Sequence, residues 1–193
     1  MVGKPTTFNQ FYMPSIFAIS DTWFNRLLDD DPNENIIDNN DHMIQVWNET
    51  VSPGDKVYVL GGFGIGDLYY IITRLNGEIH FLDNYFNKDE KSFISNMKDA
   101  VNRSGDAIFK KKNIFERNQI LVLPELDVVF SYFPLETWPG KSTGTYCFHG
   151  LTESTNLVGH NISCVAKKWE HAPINITSIK EKIGKFSEVV EDL

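Results

Sequence analysis

The stretch Val57-Tyr58-Val59-Leu60-Gly61-Gly62-Phe63-Gly64 constrains this chain more than any other. A short run of strand formers ends in a glycine cluster, and a helical pattern follows from Asp67. The run suits a buried strand and is too short for a helix. In an open α/β sheet, ligands bind just beyond the carboxyl ends of such strands. Three other segments end in the same way: Ile16-Phe17-Ala18-Ile19-Ser20-Asp21, Ile79-His80-Phe81-Leu82-Asp83-Asn84 and Val128-Val129-Phe130-Ser131-Tyr132. The four tips are expected to converge on one site.

The rest of the pattern sets the frame. Ser15 to Ser20, Lys56 to Leu60 and Glu78 to Leu82 read as three strands. The Asp- and Asn-rich segment from Asp29 to Asp41 suits an exposed loop. Asp41 is placed to cap a helix carrying Met43, Ile44, Trp47 and Val51 at helical spacing. Ser52-Pro53-Gly54-Asp55 is a turn. Asp67 to Leu75 predicts a short helix stopped by Asn76-Gly77. Lys88 to Val101 predicts an amphipathic helix with Phe93, Ile94, Met97 and Val101 on one face.

From Gln119 the rhythm changes. Ile120 to Leu123, Asp127 to Ser131, Thr145 to Phe148 and Asn161 to Val165 are short strands in quick succession, which favours an antiparallel or mixed second sheet. A last helix runs from about Thr177 to Val190. The expected fold class is α/β (α+β), with two packed mixed sheets flanked by helices. Residues 1–193 read as a single domain, without repeats or a linker.

Composition narrows the function classes. A net charge of −8 argues against general binding to nucleic acid backbone, which needs a basic surface. It leaves room for a basic protein partner. Lys110-Lys111-Lys112 reads as a solvated charge run rather than a phosphate site. Cys147 and Cys164 are expected to be reduced, buried thiols, since a disulfide framework needs more cysteines. The first residues lack the apolar core of a signal peptide, and no apolar run is long enough to span a membrane. The expected compartment is the cytoplasm. The loop Leu135-Glu136-Thr137-Trp138-Pro139 does not read as an assembly motif for a purely structural subunit.

Gly62-Phe63-Gly64 after a strand, with Asp83 about twenty residues on, partly matches a dinucleotide-binding fingerprint. The third glycine position is Asp67, and the strand is the second in the chain, so the match is only two glycines.

The order of the tips resembles the calcineurin-like metallophosphoesterase superfamily, in particular its small single-domain members from phage and bacteria. Ile19-Ser20-Asp21-Thr22-Trp23-Phe24 is similar to the family's strand ending in Asp-x-His. Val51 to Gly61 resembles the lead-in to its Gly-Asp motif. Leu75-Asn76-Gly77 and Asp83-Asn84-Tyr85-Phe86 stand where the family has Leu-Asn-Gly and Gly-Asn-His-Asp. Ser131-Tyr132-Phe133-Pro134 stands for Ser-His-Tyr-Pro, and His149-Gly150-Leu151-Thr152-Glu153-Ser154 for His-Gly-His-Thr-His-Ser. Trp169 to Ile174 resembles the family's ending. The resemblance implies a metallophosphoesterase-like four-layer sandwich.

It also implies a changed site. The family's chemistry needs two divalent metals that activate a water and clamp phosphate oxygens. Here Asp21 and Asn84 remain as possible ligands. Trp23 replaces a histidine, and Gly62 replaces the bridging aspartate. Tyr85 replaces the histidine that helps protonate the leaving group. Tyr132, Leu151 and Glu153 replace further histidines. His149 survives, outside the metal pair in the family pattern. Such a set holds at most one weakly bound magnesium or calcium, at Asp21 and Asn84, and no other cofactor is expected.

The resemblance therefore implies a catalytically inactive binding protein. Trp23, Tyr85, Phe86 and Tyr132 would line the old cleft, either filling it as core or stacking a nucleotide base. The ligand-binding candidates are Asp21, Trp23, Gly62, Phe63, Asn84, Tyr85, Tyr132 and His149. The occupant would be a nucleotide-like small molecule or a host protein, the chain acting as a phage factor in the host cytoplasm against host defence. The alternative is a divergent phosphoesterase or phosphodiesterase with a reduced one-metal site, using Asp21, Asn84, His149 and Glu153.

Overall fold

The computed structural model describes residues 13–26, 35–82, 114–115, 120–151 and 160–191, with side chains left undescribed at 114–115 and from 184 onward. Two mixed sheets pack face to face. The first contains β1 (Ile16–Ile19), β2 (Lys56–Val59), β3 (Glu78–Leu82), β4 (Ile114–Phe115) and β9 (Ile174–Asn175), in the order β4-β3-β2-β1-β9. β1 to β4 are parallel, and β9 closes the edge antiparallel to β1. The second sheet has the order β5-β6-β7-β8: β5 (Ile120–Leu123), β6 (Val128–Ser131), β7 (Tyr146–His149) and β8 (Asn161–Ser163). β5 and β6 are antiparallel, whereas β6, β7 and β8 run parallel. The expected two-sheet α/β sandwich is the architecture found.

Alternation along the strands divides the apolar residues between two cores. On one face of the first sheet, Phe17, Ile19, Val57, Val59, Ile79 and Phe81 pack with Met43, Ile44 and Trp47 of α1 (Ile36–Thr50). On the other, Ala18, Tyr58, Leu60 and Leu82 meet Val128, Phe130, Tyr146 and Phe148 of the second sheet. Tyr58 stacks on Phe130 at 4.7 Å across this interface. Ile179 and Ile183 of α3 (Ile176–Glu191) pack against the same core. Both cysteines are buried and free, and burial pushes the Cys147 thiol up to about 12.

Several boundaries differ from expectation. α1 begins one turn and more before Asp41. Asn35 is the N-cap, its Oδ1 accepting from the Ile37 N–H at 2.9 Å, so residues 36–41 are helical rather than loop. Asp41 instead pairs with Arg74 at 2.5 Å. The helix expected over Asp67 to Leu75 shrinks to α2 (Tyr69–Ile72), and Asp67 Oδ1 accepts from the Tyr69 N–H at 3.0 Å. The Thr73 hydroxyl folds back onto the Tyr69 carbonyl, the kind of local bond that competes with helix continuation. The helix expected from Lys88 to Val101 and the run Lys110 to Lys112 lie outside the described residues. Among the described residues, no helix is long and apolar enough to cross a membrane.

Two turns fix the strands that carry the site. Asn76, within Leu75-Asn76-Gly77, accepts the Trp47 indole N–H on its carbonyl at 3.0 Å and donates its side-chain amide to Val51 O at 3.0 Å. Asp55 is 3% exposed, and its carboxylate accepts the Ser15 and Ser52 N–H groups, both at 2.8 Å. It thereby ties the entry of β1 to the entry of β2. Asp55→Ala removes the buried charged acceptor that these two part-buried N–H groups share and is expected to cost about 2 kcal/mol. Urea denaturation checks this.

Candidate functional site

Beyond β1 and β2 the two chains stay joined. Asp21, Trp23 and Phe24 donate their N–H groups to the carbonyls of Gly61, Gly62 and Phe63, at 2.8, 2.9 and 2.9 Å. The Thr22 hydroxyl donates to Phe63 O at 2.8 Å. This pairing needs an unusual backbone. Asp21, Trp23 and Asn25 take φ of 53°, 50° and 62°, and Gly62 takes 61°. L-residues other than Asn and Asp pay to enter that region, so Trp23 is held there by its surroundings. Asn25 helps to hold them. Its amide donates to Ile65 O at 3.0 Å and Asp67 O at 2.9 Å, and it exchanges hydrogen bonds with Asn40 of α1.

The second sheet reaches the same place. Ser20 N–H donates to Cys164 O at 2.9 Å, and Ala166 N–H donates to Ser20 O at 2.8 Å. Cys164 N–H donates to His149 O at 2.6 Å. The backbone is therefore hydrogen-bonded from the tip of β2 through β1 and β8 to β7. Three of the four expected tips, ending at Asp21, Gly62 and Tyr132, converge. The fourth, at Asp83-Asn84, lies outside the described residues, as do Tyr85, Phe86 and Glu153.

Asp21 is the hub. The Tyr132 hydroxyl donates to its Oδ1 at 2.9 Å, and the Leu151 N–H donates to its Oδ2 at 2.9 Å. A side chain at position 62 would land on Asp21 Oδ1 and stand 2.9 Å from Asp21 Cα. A Cβ at Gly61 would meet the Tyr132 ring at 2.5 Å, and one at Gly150 would meet it at 2.8 Å. The carboxylate thus occupies the place of a residue-62 side chain, and the Tyr132 ring lies flush on two glycines. Burial pushes the Asp21 carboxyl up. The Leu151 N–H, the Tyr132 hydroxyl and, most weakly, the Ser20 hydroxyl pull it back down.

The other candidates fall in different surroundings. Phe63 is 1% exposed and packs against Phe24 and Phe81 at 5.1 and 5.2 Å, beneath the site. His149 is fully buried. Its Nδ1 donates to Gly150 O at 2.9 Å, while Nε2 has no hydrogen-bond partner among the described residues. Burial holds this imidazole below the usual histidine range; the Gly150 carbonyl opposes that and nearby Lys168 adds to it. Trp23 is half-buried, with the Arg26 guanidinium 5.0 Å over its ring. Leu151 and Phe133 are exposed at the rim, and the Phe133 ring stands edge-on to Tyr132 at 5.3 Å. Sequence reasoning missed Asn25, Phe133 and the Leu151 N–H. Of these, only Asn25 carries a signal, the tolerance of asparagine for left-handed backbone.

Among the described residues, no three His, Cys, Asp or Glu side chains converge to hold a metal ion. Both Asp21 oxygens already accept hydrogen bonds, and nothing bridges from position 62. The described residues do not fit a pair of metal ions.

Gly62→Ala is expected to cost about 2 kcal/mol, from left-handed strain plus the clash with Asp21. In an Asp21→Ala background that cost should shrink by at least about 0.5 kcal/mol, as a double-mutant cycle would show. His149 gives a pH dependence. Below roughly pH 6.5, the ordinary histidine value, the unfolded chain takes up a proton that the folded imidazole resists. Stability is therefore full above that pH and falls as the pH drops through it. Asp21 acts with the opposite sign, and nearer its ordinary value of 3.8. Thermal melts at stepped pH should show the loss in wild type and a shallower one in His149→Asn.

No family model matches the sequence, and no curated protein matches it. The fold is similar to the crystal structure of AQ665 from Aquifex aeolicus, a protein of unknown function. The two share 18% identity and superpose with a TM-score of 0.55, over 89% of this chain and 100% of that one. The likeness is one of fold.

Proposed function

We propose that this chain is a non-catalytic binding protein on a metallophosphoesterase-like scaffold, and that the rim around Asp21 and Tyr132 is its recognition surface. The observation that carries this reading is the closure at Asp21. Its carboxylate is bonded on both oxygens and fills the space beside Gly62. A hydrolytic centre needs a group free to activate water or hold a metal that does so. The Asp21 carboxylate is instead committed to the frame.

Among the described residues, apolar side chains face outward here, beside the exposed Arg26. Leu151 is 51% exposed and Phe133 is 37% exposed, with half-buried Trp23 on the neighbouring tip. The Tyr132 ring is 8% exposed and packed on glycines, so it offers no wall for stacking a base. These features favour a protein partner over a nucleotide-like ligand. A net charge of −8 favours a basic one. The sequence resemblance to small phage proteins supports a role in the host cytoplasm, acting on a host defence by sequestration.

The test combines three measurements on the full chain. Metal analysis after purification in manganese should find no stoichiometric transition metal. A model phosphodiester should not be turned over. Thermal-shift screening should show no response to mono-, di- or cyclic nucleotides, whereas a saturable shift would assign the nucleotide-like ligand instead. Two bound metals per chain, or hydrolysis that Asp21→Ala abolishes, would overturn the proposal in favour of a divergent phosphoesterase.

A further inference from the structure

We infer that His149 is a positioning residue: through the Gly150–Leu151 peptide it aims a backbone N–H at Asp21 and so sets how Leu151 is displayed at the rim. The two bonds share one peptide unit. His149 Nδ1 lies 2.9 Å from Gly150 O, and a carbonyl only accepts, so Nδ1 carries the proton. The Leu151 N–H, on the other end of the same unit, donates to Asp21 Oδ2 at 2.9 Å. A trans peptide is planar, with its C=O and N–H pointing opposite ways. Fixing the carbonyl against the imidazole therefore fixes the direction of the N–H.

The chain of bonds runs on from Asp21 Oδ1 to the Tyr132 hydroxyl at 2.9 Å. It links a wholly buried ring in β7 to the tips of β1 and β6. The device also explains two local oddities. Leu151 takes φ of 64°, which a leucine rarely adopts unless its flanking peptides are held. Gly150 is required because a Cβ there would press on both Ser20 Oγ and Tyr132, each at 2.8 Å. The imidazole, out of contact with solvent, cannot touch a ligand; its influence passes through the backbone it orients.

The biological meaning rests on reading this rim as a recognition surface, but the hydrogen bonds are tested without any ligand. Amide hydrogen exchange in the full chain, followed by NMR, reads the Leu151 N–H directly. In wild type this amide should be protected. In His149→Leu, with the donor to Gly150 O removed, it should exchange roughly tenfold faster or more, while Val59 and Phe130 keep their protection. His149→Asn, whose side-chain amide nitrogen sits where Nδ1 does, should restore the slow rate. His149→Gln, with its nitrogen at the Nε2 position, should not. Equal protection of Leu151 in wild type and His149→Leu would overturn the inference, as would fast exchange in His149→Asn. If His149→Leu fails to fold, the Asn and Gln pair makes the same comparison. Nitrogen chemical shifts give an independent check, since an imidazole protonated at Nε2 and bare at Nδ1 would also overturn it.

Discussion

A single carboxylate organises the end of the sandwich where the tips of β1, β2 and β6 converge. Asp21 sits past the end of β1 and accepts from Tyr132, past β6, and from Leu151, past β7. It also lies against the glycine that follows β2. Half removed from water, it loses solvation and recovers part of it from two donors at 2.9 Å. Everything nearby is arranged around that exchange. Glycines stand where a Cβ would collide, and left-handed backbone appears where the loops must turn their N–H groups inward. The aromatic at position 132 lends its hydroxyl while its ring seals the gap.

The loops around this carboxylate are themselves part of the fold. Backbone bonds between residues 21–24 and 61–63 prolong the β1–β2 pairing past the last regular strand residue. Asn25 and Asn40 then tie the loop to α1 through a reciprocal amide pair. Side chains such as Trp23 project from a frame that main-chain bonds already hold. The same arrangement separates core from surface: Phe63, in the middle of the glycine cluster, faces the aromatic core, whereas Leu151 and Phe133 face out.

Much of the fold was legible because its central strands are unambiguous. Ile16–Ile19, Lys56–Val59, Glu78–Leu82, Val128–Ser131 and Tyr146–His149 are short apolar runs bounded by turn residues, and their sterics leave few alternatives. β4 and β9 were not legible, since two residues carry no periodicity. The first turns of α1 resemble a loop in sequence because Asp38, Asn39 and Asp41 lie there, and a polar solvent face looks like coil when taken alone. Strand direction in the second sheet could not be read from spacing: the stretch between β6 and β7 allows either a return or a crossover. The site was half legible. Strand tips pointed to Asp21, Gly62 and Tyr132. The contact that completes it comes from a backbone amide, and every residue but proline has one, so no letter in the sequence marks it.

The two sheets are not independent slabs pressed together by oily side chains alone. Where β1 ends, Ser20 is bonded on both sides of its peptide to the segment that follows β8. The sandwich is consequently a folded sheet with a crease, and the crease coincides with the rim that carries Leu151 and Phe133. Anything gripping that rim bears on both halves of the molecule at once. Force or strain applied there is shared across hydrogen-bonded backbone rather than across a sliding apolar seam.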